Sequence, residues 1–525
     1  MTPEDWIAHD PDPVTAAELA GCDEAELEKR FARPLTFGTA GLRGPVRGGP
    51  DAMNLAVVLR ASWAVATVLT DRGLAGSTVV VGRDARHGSE AFAVCAAEVF
   101  AAAGFSLFQL PHPIPTPVVA FAVRHLGAAA GIQITASHNP PIDNGYKVYF
   151  DGGIQIVSPT DREIEAAIAD APFADEIARE PVEPIDAALV EEYVDRAARV
   201  RRSTGAVRVA LTPLHGVGGA VAVETLRRAG VDDVHTVASQ FMPDPDFPTV
   251  AFPNPEEPGA TDALLALAAA TDADIAIALD PDADRCAVGI PTPTGWRMLS
   301  GDETGWLLGD FILSRTDRSE LPASVVASTV VSSRMLAAIA THWGAQHVET
   351  LTGFKWLARA DADLPGSTLI YAYEEAIGHC VDPAAVRDKD GISAAVLACD
   401  LVATLKLAGR SVLDALDDQA RRYGVHVGAA ISRPVSDAVE AAALMHRLRT
   451  SPPTTLAGFD SATTDLTPKT DALIFTGGDA DTSARVVVRP SGTEPKVKFY
   501  LEVRSTGRRR ATALCDELAS AVQRW

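Results

Sequence analysis

Short apolar runs alternate with helical patterns along the first four-fifths of the 525-residue chain. The run Val207 to Leu211 precedes the helical pattern Gly219 to Ala229, and Val325 to Ser328 precedes Ser332 to Trp343. Strands separated by helices are typical of βαβ units packed around parallel or mixed sheets. Because one domain usually takes roughly 100 to 200 residues, the length predicts three to five domains. The alternation therefore predicts three α/β domains.

The pattern changes after about residue 420, where the chain reads as a smaller α+β domain. Strand-like segments 472–476, 484–488 and 497–503 precede a helical pattern over 508–525. Pro-rich residues 181–184 suggest the first domain boundary, and a turn near residue 293 suggests the second. The predicted domains are 1–185, 186–297, 298–420 and 421–525.

Charge and composition exclude several classes of protein. The net charge of −23 argues against nonspecific nucleic-acid binding. No apolar run reaches 18 residues and the N-terminus lacks the features of a signal peptide, so we expect a cytoplasmic protein with no membrane partner. The six cysteines show no Cys-x-x-Cys spacing, which predicts reduced thiols without a disulfide framework or zinc site.

A serine motif, Thr135 to Pro140, directly follows the apolar segment Gly131 to Ile134. Ser137 is therefore expected at the carboxyl end of a buried strand, where open α/β sheets place their ligand crevices. There it could act as a phosphorylatable nucleophile, with His138 and Lys147 to move protons. A Ser-His-Asn-Pro run is also ordinary turn chemistry, so the motif alone leaves both interpretations open.

Three aspartates, Asp280, Asp282 and Asp284, follow the apolar strand pattern 274–279. Side chains at i, i+2 and i+4 of an extended segment point to one side, and crowded carboxylates repel one another unless a cation neutralises them. Hard oxygen ligands favour Mg²⁺. An EF-hand is excluded, because its sixth and twelfth positions hold Arg285 and Pro291 instead of Gly and Glu. A solvated acidic turn is the alternative.

Two further motifs carry charge beside strand patterns. The run Arg489 to Lys496 combines an arginine fork, two hydroxyls and a glycine, the components of a phosphate cradle, although a charged hairpin turn has the same residues. The run Tyr373 to His379 contains Glu374 and Glu375, which could bind sugar hydroxyls or start a helix.

Only eight of the 46 basic residues are lysines, so this chain uses arginine for most surface positive charge. Five of the eight lie in or beside the motifs: Lys147, Lys355, Lys389, Lys496 and Lys498. Burial can lower the pKa of a lysine, which makes Lys147 a candidate proton carrier. A fixed charge paired with a phosphorylated Ser137 explains it equally well.

With these four motifs in this order, the chain resembles the α-D-phosphohexomutase family, the phosphoglucomutases and phosphomannomutases. The resemblance covers essentially the whole length, and the motifs correspond in turn to the family's phosphoserine, metal, sugar-binding and phosphate-binding loops. Supporting segments are Phe37 to Gly44, Pro213 to Gly219, Leu351 to Lys355 and Arg387 to Gly391. The sequences of these motifs are most similar to those of the branch that includes phosphopentomutase and glucose-1,6-bisphosphate synthase.

The resemblance implies three similar α/β domains with mixed sheets and a smaller C-terminal α+β domain around a central cleft. It implies a mutase that interconverts hexose 1-phosphate and hexose 6-phosphate, with glucose or mannose as the sugar, through a phosphoserine enzyme and a sugar 1,6-bisphosphate intermediate. The implied cofactor is Mg²⁺, and a catalytic sugar 1,6-bisphosphate is the implied activator. The expected partner is a small phosphosugar, and the chain is either a monomer or a homodimer.

The resemblance also assigns roles to residues. Catalytic roles fall on Ser137, His138, Lys147 and Arg43, and metal ligation on Ser137, Asp280, Asp282 and Asp284. Substrate binding falls on Arg285, Thr352, Gly353, Glu374, His379, Lys389, Arg489, Ser491, Gly492 and Thr493. Two departures from the family pattern concern the sugar loop: Ala376 stands where many relatives place Ser, and His379 matches a family histidine only with one inserted residue.

Several alternatives stay open at this stage. Within the family, the chain could be a phosphopentomutase or a sugar-bisphosphate synthase. A metal-dependent phosphatase would use the same serine and aspartates but release phosphate to water, which leaves the second phosphate cradle at Arg489 without a purpose. A noncatalytic sugar-phosphate sensor would tolerate loss of Ser137 or of an aspartate, yet both are present.

Overall fold

The computed structural model describes residues 1–38, 41–150, 152–491 and 496–525. The chain divides into two compact units. The first comprises Met1–Thr304 and Ile370–Ala408, and the second comprises Gly305–Leu369 and Gly409–Trp525.

The chain begins with three short helices, each started by a side-chain cap. They are α1 (Pro3–Ala8), α2 (Pro13–Ala20) and α3 (Glu24–Phe31). The side chains of Thr2, Asp12 and Asp23 accept hydrogen bonds from free N–H groups of the first helical turns, which fixes where the helices begin.

The first sheet of the first unit is mixed and has helices between its strands. Its elements are β1 (Leu42–Pro45), α4 (Leu55–Asp71), β2 (Thr78–Arg83), α5 (Ser89–Ala102), β3 (Ser106–Gln109), α6 (Thr116–Leu126), β4 (Ala130–Ile134), β5 (Asp143–Phe150), β6 (Ile154–Gln155) and α7 (Thr160–Asp170). The strand order is β1-β5-β4-β2-β3, with β6 paired to β5. Strand β2 runs parallel to β3 and β4, whereas β5 runs antiparallel to β1 and β4. Every residue of β4 is buried, as its apolar sequence predicts.

The second sheet of the same unit repeats this plan. Its elements are α8 (Ala188–Ala198), β7 (Arg208–Thr212), α9 (Gly218–Arg228), β8 (Asp233–Thr236), α10 (Asp262–Ala270), β9 (Ile275–Leu279), β10 (Cys286–Thr292) and β11 (Gly295–Met298). The strand order is β11-β10-β9-β7-β8. Strands β7, β8 and β9 are parallel, and β10 and β11 are antiparallel additions.

The next segment again alternates helices and strands. Its elements are α11 (Gly301–Ser314), β12 (Ser324–Thr329), α12 (Met335–Trp343), β13 (Gln346–Thr350), α13 (Phe354–Leu357), β14 (Thr368–Glu374), β15 (Gly378–Cys380) and α14 (Gly391–Leu407). Strands β12 and β13 pair in parallel, and β14 and β15 pair antiparallel.

The C-terminal part of the second unit carries an antiparallel sheet. Its elements are α15 (Val412–Tyr423), β16 (Val425–Pro434), α16 (Ala438–Thr450), β17 (Thr455–Leu456), β18 (Phe459–Asp460), β19 (Ala462–Asp465), β20 (Leu473–Gly478), β21 (Ser483–Pro490), β22 (Lys496–Ser505) and α17 (Arg508–Val522). The strand order is β16-β22-β21-β20-β19. The predicted change after about residue 420, from alternating strands and helices to an α+β arrangement, is confirmed by this antiparallel sheet. Helix α17 packs its apolar side into the core of the sheet.

The α/β fold class predicted from the alternation is confirmed. Among the described residues, no single helix has the length and hydropathy needed to cross a bilayer, although α14 and α15 meet that test as a bent pair.

Candidate active site

Ser137 lies in the loop directly after β4, where the sequence pattern placed it. Its φ is +55°, in the left-handed region, and only 1% of the residue is exposed. Its backbone N–H donates to Thr135 Oγ1 at 2.9 Å. The Ser137 hydroxyl donates to Asp280 Oδ2 at 2.9 Å and lies 3.2 Å from His138 Nδ1. The loop thus presents the serine oxygen to a carboxylate and an imidazole.

The three aspartates form a second loop, directly after β9. All three are fully buried, and one carboxylate oxygen from each lies within 4.8 Å of the others. The turn that joins β7 to α9 packs closely against this loop. A Cβ on Gly216 of that turn would come within 2.3 Å of Pro281, so only glycine permits this approach.

Lys147 is a buried cation held against this cluster. Strand register places it opposite Gln133, on the strand next to the serine loop. Its Nζ donates to Asp282 Oδ2 at 2.7 Å and to Asp284 Oδ2 at 2.8 Å. Burial by itself would lower the pKa of Lys147, but the two carboxylates outweigh burial and raise it. Lys147 is therefore a protonated, fixed charge in this arrangement.

The cluster retains unsatisfied negative charge despite Lys147. Burial and the neighbouring carboxylates of Asp282 and Asp284 raise the pKa of Asp280 well above its usual range. Within the described residues, Asp282 Oδ1 and Asp284 Oδ1 are buried without a hydrogen-bond partner. Buried oxygens of this kind normally have a partner. The donor set therefore fits a divalent cation with a preference for hard oxygen ligands.

Arg285, Lys389 and Glu374 lie around the same cluster. The Lys389 ammonium is 3.4 Å from Asp284 Oδ2, and Arg285 Nε is 3.8 Å from Asp284 Oδ1. Glu374 ends β14, where burial raises the pKa of its carboxyl against the opposing charges of Lys389 and Arg285. A Cβ on Gly378 would lie 2.5 Å from Lys389 Cδ and 2.9 Å from Glu374 Oε1, so this glycine lets the two side chains converge.

Arg43 and His138 complete the group in the first unit. Arg43 lies on β1 and donates from Nη1 to Asn139 Oδ1 at 3.4 Å. Burial and the positive charges of Arg285 and Arg43 hold the pKa of His138 well below its usual range. His138 is therefore a neutral imidazole beside the serine.

His379 is placed differently from the other predicted substrate residues. It lies on β15 with no exposed surface, and its Nδ1 is 3.2 Å from the Tyr371 hydroxyl. Burial lowers the pKa of His379 to about 3. Contact between this ring and a substrate stays a prediction.

The remaining predicted substrate residues lie in the second unit. Thr352 and Gly353 precede the short helix α13, where Gly353 has a φ of +111°. Arg489 lies near the end of β21, and the Ser491 backbone N–H donates to Lys496 O at 2.8 Å across the β21–β22 hairpin. Gly492 and Thr493 lie outside the described residues.

Sequence reasoning missed Thr116, the first residue of α6. Its hydroxyl donates to Asp282 Oδ2, and its backbone N–H donates to Asp282 O at 2.9 Å. The available signal was a Pro-Thr-Pro run at a helix start, where N–H groups favour anions.

Comparisons with known proteins agree with this fold. Four models of the phosphoglucomutase/phosphomannomutase family match: alpha/beta/alpha domain I at 34–175, domain II at 191–293, domain III at 300–423 and the C-terminal domain at 476–521. The chain is 40% identical to a "Probable phosphomannomutase" of Haemophilus influenzae, covering 90% of this chain and 97% of that protein. It is 35% identical to a phosphopentomutase of Homo sapiens, covering 95% and 90%.

A solved structure shares the architecture. A phosphoglucomutase/phosphomannomutase family protein from Burkholderia thailandensis superposes with a TM-score of 0.71 at 22% identity, covering 92% of this chain and 96% of that one. Three α/β/α domains and a C-terminal domain thus account for the fold, as the resemblance implied.

The fold and the matched domains define a phosphosugar mutase, an isomerase that acts as an intramolecular phosphotransferase. The chain belongs to the phosphoglucomutase/phosphomannomutase family. The boundaries at residues 185, 297 and 420 stay predictions.

Proposed function

We propose that this mutase interconverts hexose 1-phosphate and hexose 6-phosphate through a phosphorylated Ser137. The observation that carries the proposal is the buried Ser137 hydroxyl, 2.9 Å from Asp280 in a cluster of three carboxylates. In the first step, the bond between Ser137 Oγ and phosphorus breaks and a sugar hydroxyl oxygen bonds to phosphorus. The proton of that hydroxyl ends on Ser137 Oγ. The second step returns the other phosphate of the bisphosphate to Ser137, so the sugar phosphate leaves isomerised.

The distances around the two candidate proton carriers support different roles for them. His138 Nδ1 is 3.2 Å from Ser137 Oγ and can pass a proton between the sugar hydroxyl and the serine. Lys147 Nζ is engaged with two carboxylates at 2.7 and 2.8 Å. We therefore assign proton transfer to His138 and charge stabilisation to Lys147.

Asp280, Asp282 and Asp284 would hold Mg²⁺, with an oxygen of phosphorylated Ser137 as a further ligand. When bound, the ion supplies positive charge beside the transferring phosphoryl group. Arg43 and Arg285 add fixed positive charge to the same region.

Sugar and phosphate recognition are assigned to the remaining residues. Glu374, Lys389, His379, Thr352 and Gly353 would contact the sugar, whereas Arg489, Ser491, Gly492 and Thr493 would hold the phosphate that does not react. An arginine fork and backbone N–H groups suit that phosphate. A sugar 1,6-bisphosphate would prime the serine as activator, and the partner is a small phosphosugar.

The test is an assay of the purified protein with glucose, mannose and ribose 1-phosphates, each with catalytic bisphosphate and Mg²⁺. We expect the highest kcat/KM with a hexose phosphate. Release of inorganic phosphate without an isomerised product would instead establish a phosphatase and refute the proposal.

A pentose substrate is the second candidate, because a phosphopentomutase of Homo sapiens is 35% identical over 95% of the chain. A kcat/KM for ribose 1-phosphate above those for both hexoses would select it. The Ser137 chemistry is the same for either sugar.

A further inference from the structure

Arg86 is a buried arginine beneath the serine loop, and none of the motifs contains it. It is 4% exposed. Its Nη2 donates to Ser137 O and Asn139 O, both at 2.6 Å. Its Nη1 donates to Pro140 O at 2.8 Å and Asp143 O at 3.1 Å. One guanidinium thus binds three backbone carbonyls of the loop that carries Ser137 and that of Asp143, where β5 begins.

The guanidinium is itself held from two sides. Asp84 Oδ2 lies 3.3 Å from Arg86 Nε, and Asp84 Oδ1 accepts the Arg86 backbone N–H at 2.9 Å and the Ser89 hydroxyl at 2.6 Å. The Phe247 ring centre lies 4.9 Å from Arg86 Cζ. Phe247 belongs to the segment between β8 and α10, so segments that follow strands of both mixed sheets of the first unit contact this arginine.

The serine loop needs such a fixed support. A left-handed φ of +55° is unfavourable for a serine and persists only where the surroundings impose it. Carbonyls that converge on one point also repel one another unless donors separate them. A planar fork supplies five N–H donors in fixed directions, whereas a lysine ammonium supplies three from one atom.

We propose that Arg86 is the positioning residue that sets the in-line orientation of Ser137 Oγ, with Phe247 covering the guanidinium. The inference rests on the proposed function, because it takes Ser137 as the nucleophile. Arg86 acts through the backbone of the loop and does not touch the transferred phosphoryl group.

The chain offers a matched control in Arg60. This arginine is also buried, at 8% exposure, and its fork also binds backbone carbonyls: Ala171 at 2.9 Å, Pro172 at 2.6 Å and Ile168 at 2.7 Å. Arg60→Lys therefore loses the same kind of interaction in the same unit, away from the serine loop.

The experiment compares Arg86→Lys with Arg60→Lys in the full-length enzyme. Each variant is phosphorylated with hexose 1,6-bisphosphate, and the single-turnover transfer from the phosphoenzyme to hexose monophosphate is measured together with hydrogen exchange over 137–143. A displacement of about 1 Å costs on the order of 100-fold in rate. We expect that loss of rate for Arg86→Lys, with faster hydrogen exchange in 137–143. The KM should stay within about threefold of wild type, because Arg86 is proposed to act on transfer and not on substrate binding. Added guanidinium should partly restore the rate of Arg86→Ala.

Arg60→Lys should transfer within about twofold of the wild-type rate, since no carbonyl of the serine loop contacts it. A wild-type transfer rate in folded Arg86→Lys, or an equal loss in Arg60→Lys, would overturn the inference. If Arg86→Lys does not fold, the test uses Phe247→Leu, which removes the ring over the guanidinium. A transfer rate lower by roughly threefold to tenfold supports the positioning role of Arg86, and an unchanged rate overturns it. A different result would refute the proposed function itself, namely mutase turnover in Ser137→Ala.

Discussion

At the residue scale, the candidate site combines the proposed nucleophile with charged groups whose electrostatic effect is strengthened by burial. Ser137, Lys147 and the three aspartates are each at most 1% exposed. In such surroundings each charge acts in a low effective dielectric, so its effect on a transferring phosphoryl group is large.

Ser137→Ala is expected to abolish mutase turnover while leaving the fold intact, because no neighbouring hydroxyl can meet the phosphoryl group in line. Intact-protein mass should show one added phosphate on the wild type after treatment with bisphosphate and none on the variant. Ser62→Ala is the control, since Ser62 is a buried serine that contacts the Tyr146 hydroxyl at 2.9 Å instead of the cluster. Near-native turnover in Ser137→Ala would refute the phosphoserine mechanism.

His379 gives a prediction for the pH dependence of stability. Its pKa is about 3 in the fold, below the ordinary value of 6.5, so the unfolded chain binds the proton more readily. The stabilisation is complete above about pH 6.5 and is lost as the pH falls towards 3. From pH 7 to pH 5 the loss is about 2 kcal/mol.

His379→Gln should remove this contribution, so its urea midpoint should change less between pH 7 and pH 5 than that of the wild type. His235→Gln is the control, because that histidine is only partly buried and pairs with Asp233. Parallel pH curves for wild type and His379→Gln would contradict the prediction.

At the element scale, the candidate functional side chains come from loops that follow strands and from the start of one helix. The Ser137 loop follows β4, the aspartate loop follows β9, and Glu374 ends β14. Helix α6 begins at Thr116 and directs its first N–H group and a hydroxyl to Asp282. A helix start adds partial positive charge beside a carboxylate.

Thr116→Val should lower the rate of phosphoryl transfer and raise the Mg²⁺ concentration needed for half-maximal rate, because it removes the hydroxyl that fixes Asp282. A hydrogen bond to a charged group contributes about 1.5 to 3 kcal/mol, so we expect a change of roughly tenfold or more. Titration of rate with Mg²⁺ measures it.

Thr225→Val is the matched control, since this buried threonine donates to Val221 O within helix α9 at 2.7 Å. Identical Mg²⁺ titrations for wild type and Thr116→Val would show that Thr116 does not position Asp282.

At the scale of the whole molecule, a mutase must bind one phosphate in two substrate orientations. In the proposed mechanism each end of the bisphosphate would be presented to Ser137 in turn, so the site for the other phosphate should recognise phosphate in preference to the sugar. We assign this role to Arg489 and Ser491 at the β21–β22 hairpin as a prediction.

Arg489→Ala should therefore lower kcat/KM in both directions, measured with the 1-phosphate and with the 6-phosphate. Loss of a charge-assisted hydrogen bond is worth about 1.5 to 3 kcal/mol, or roughly tenfold to 150-fold. The variant should also release more bisphosphate. Arg504→Ala on the same strand pair is the control, and a defect confined to one direction would refute the assignment.

Much of the site could be predicted because its residues are adjacent in sequence. An apolar run predicts a buried strand, and polar residues directly after it predict a ligand loop, and this pattern makes Ser137 and the three aspartates site candidates. Sparse lysines pointed to Lys147 and Lys389. By contrast, Thr116 lies 166 residues from Asp282, and nothing local relates them.

The sequence by itself determined the α/β class, the order of the loops and which residues carry charge, because these depend on periodicity and residue type. The tertiary structure decided which charges meet. Lys147 and Asp282 are 135 residues apart, yet pairing of β4 with β5 and the position of β9 bring them to 2.7 Å. It also decided that His379 is buried and that Arg86 supports the serine loop. Such contacts depend on the packing of elements distant along the chain, which short-range patterns do not encode.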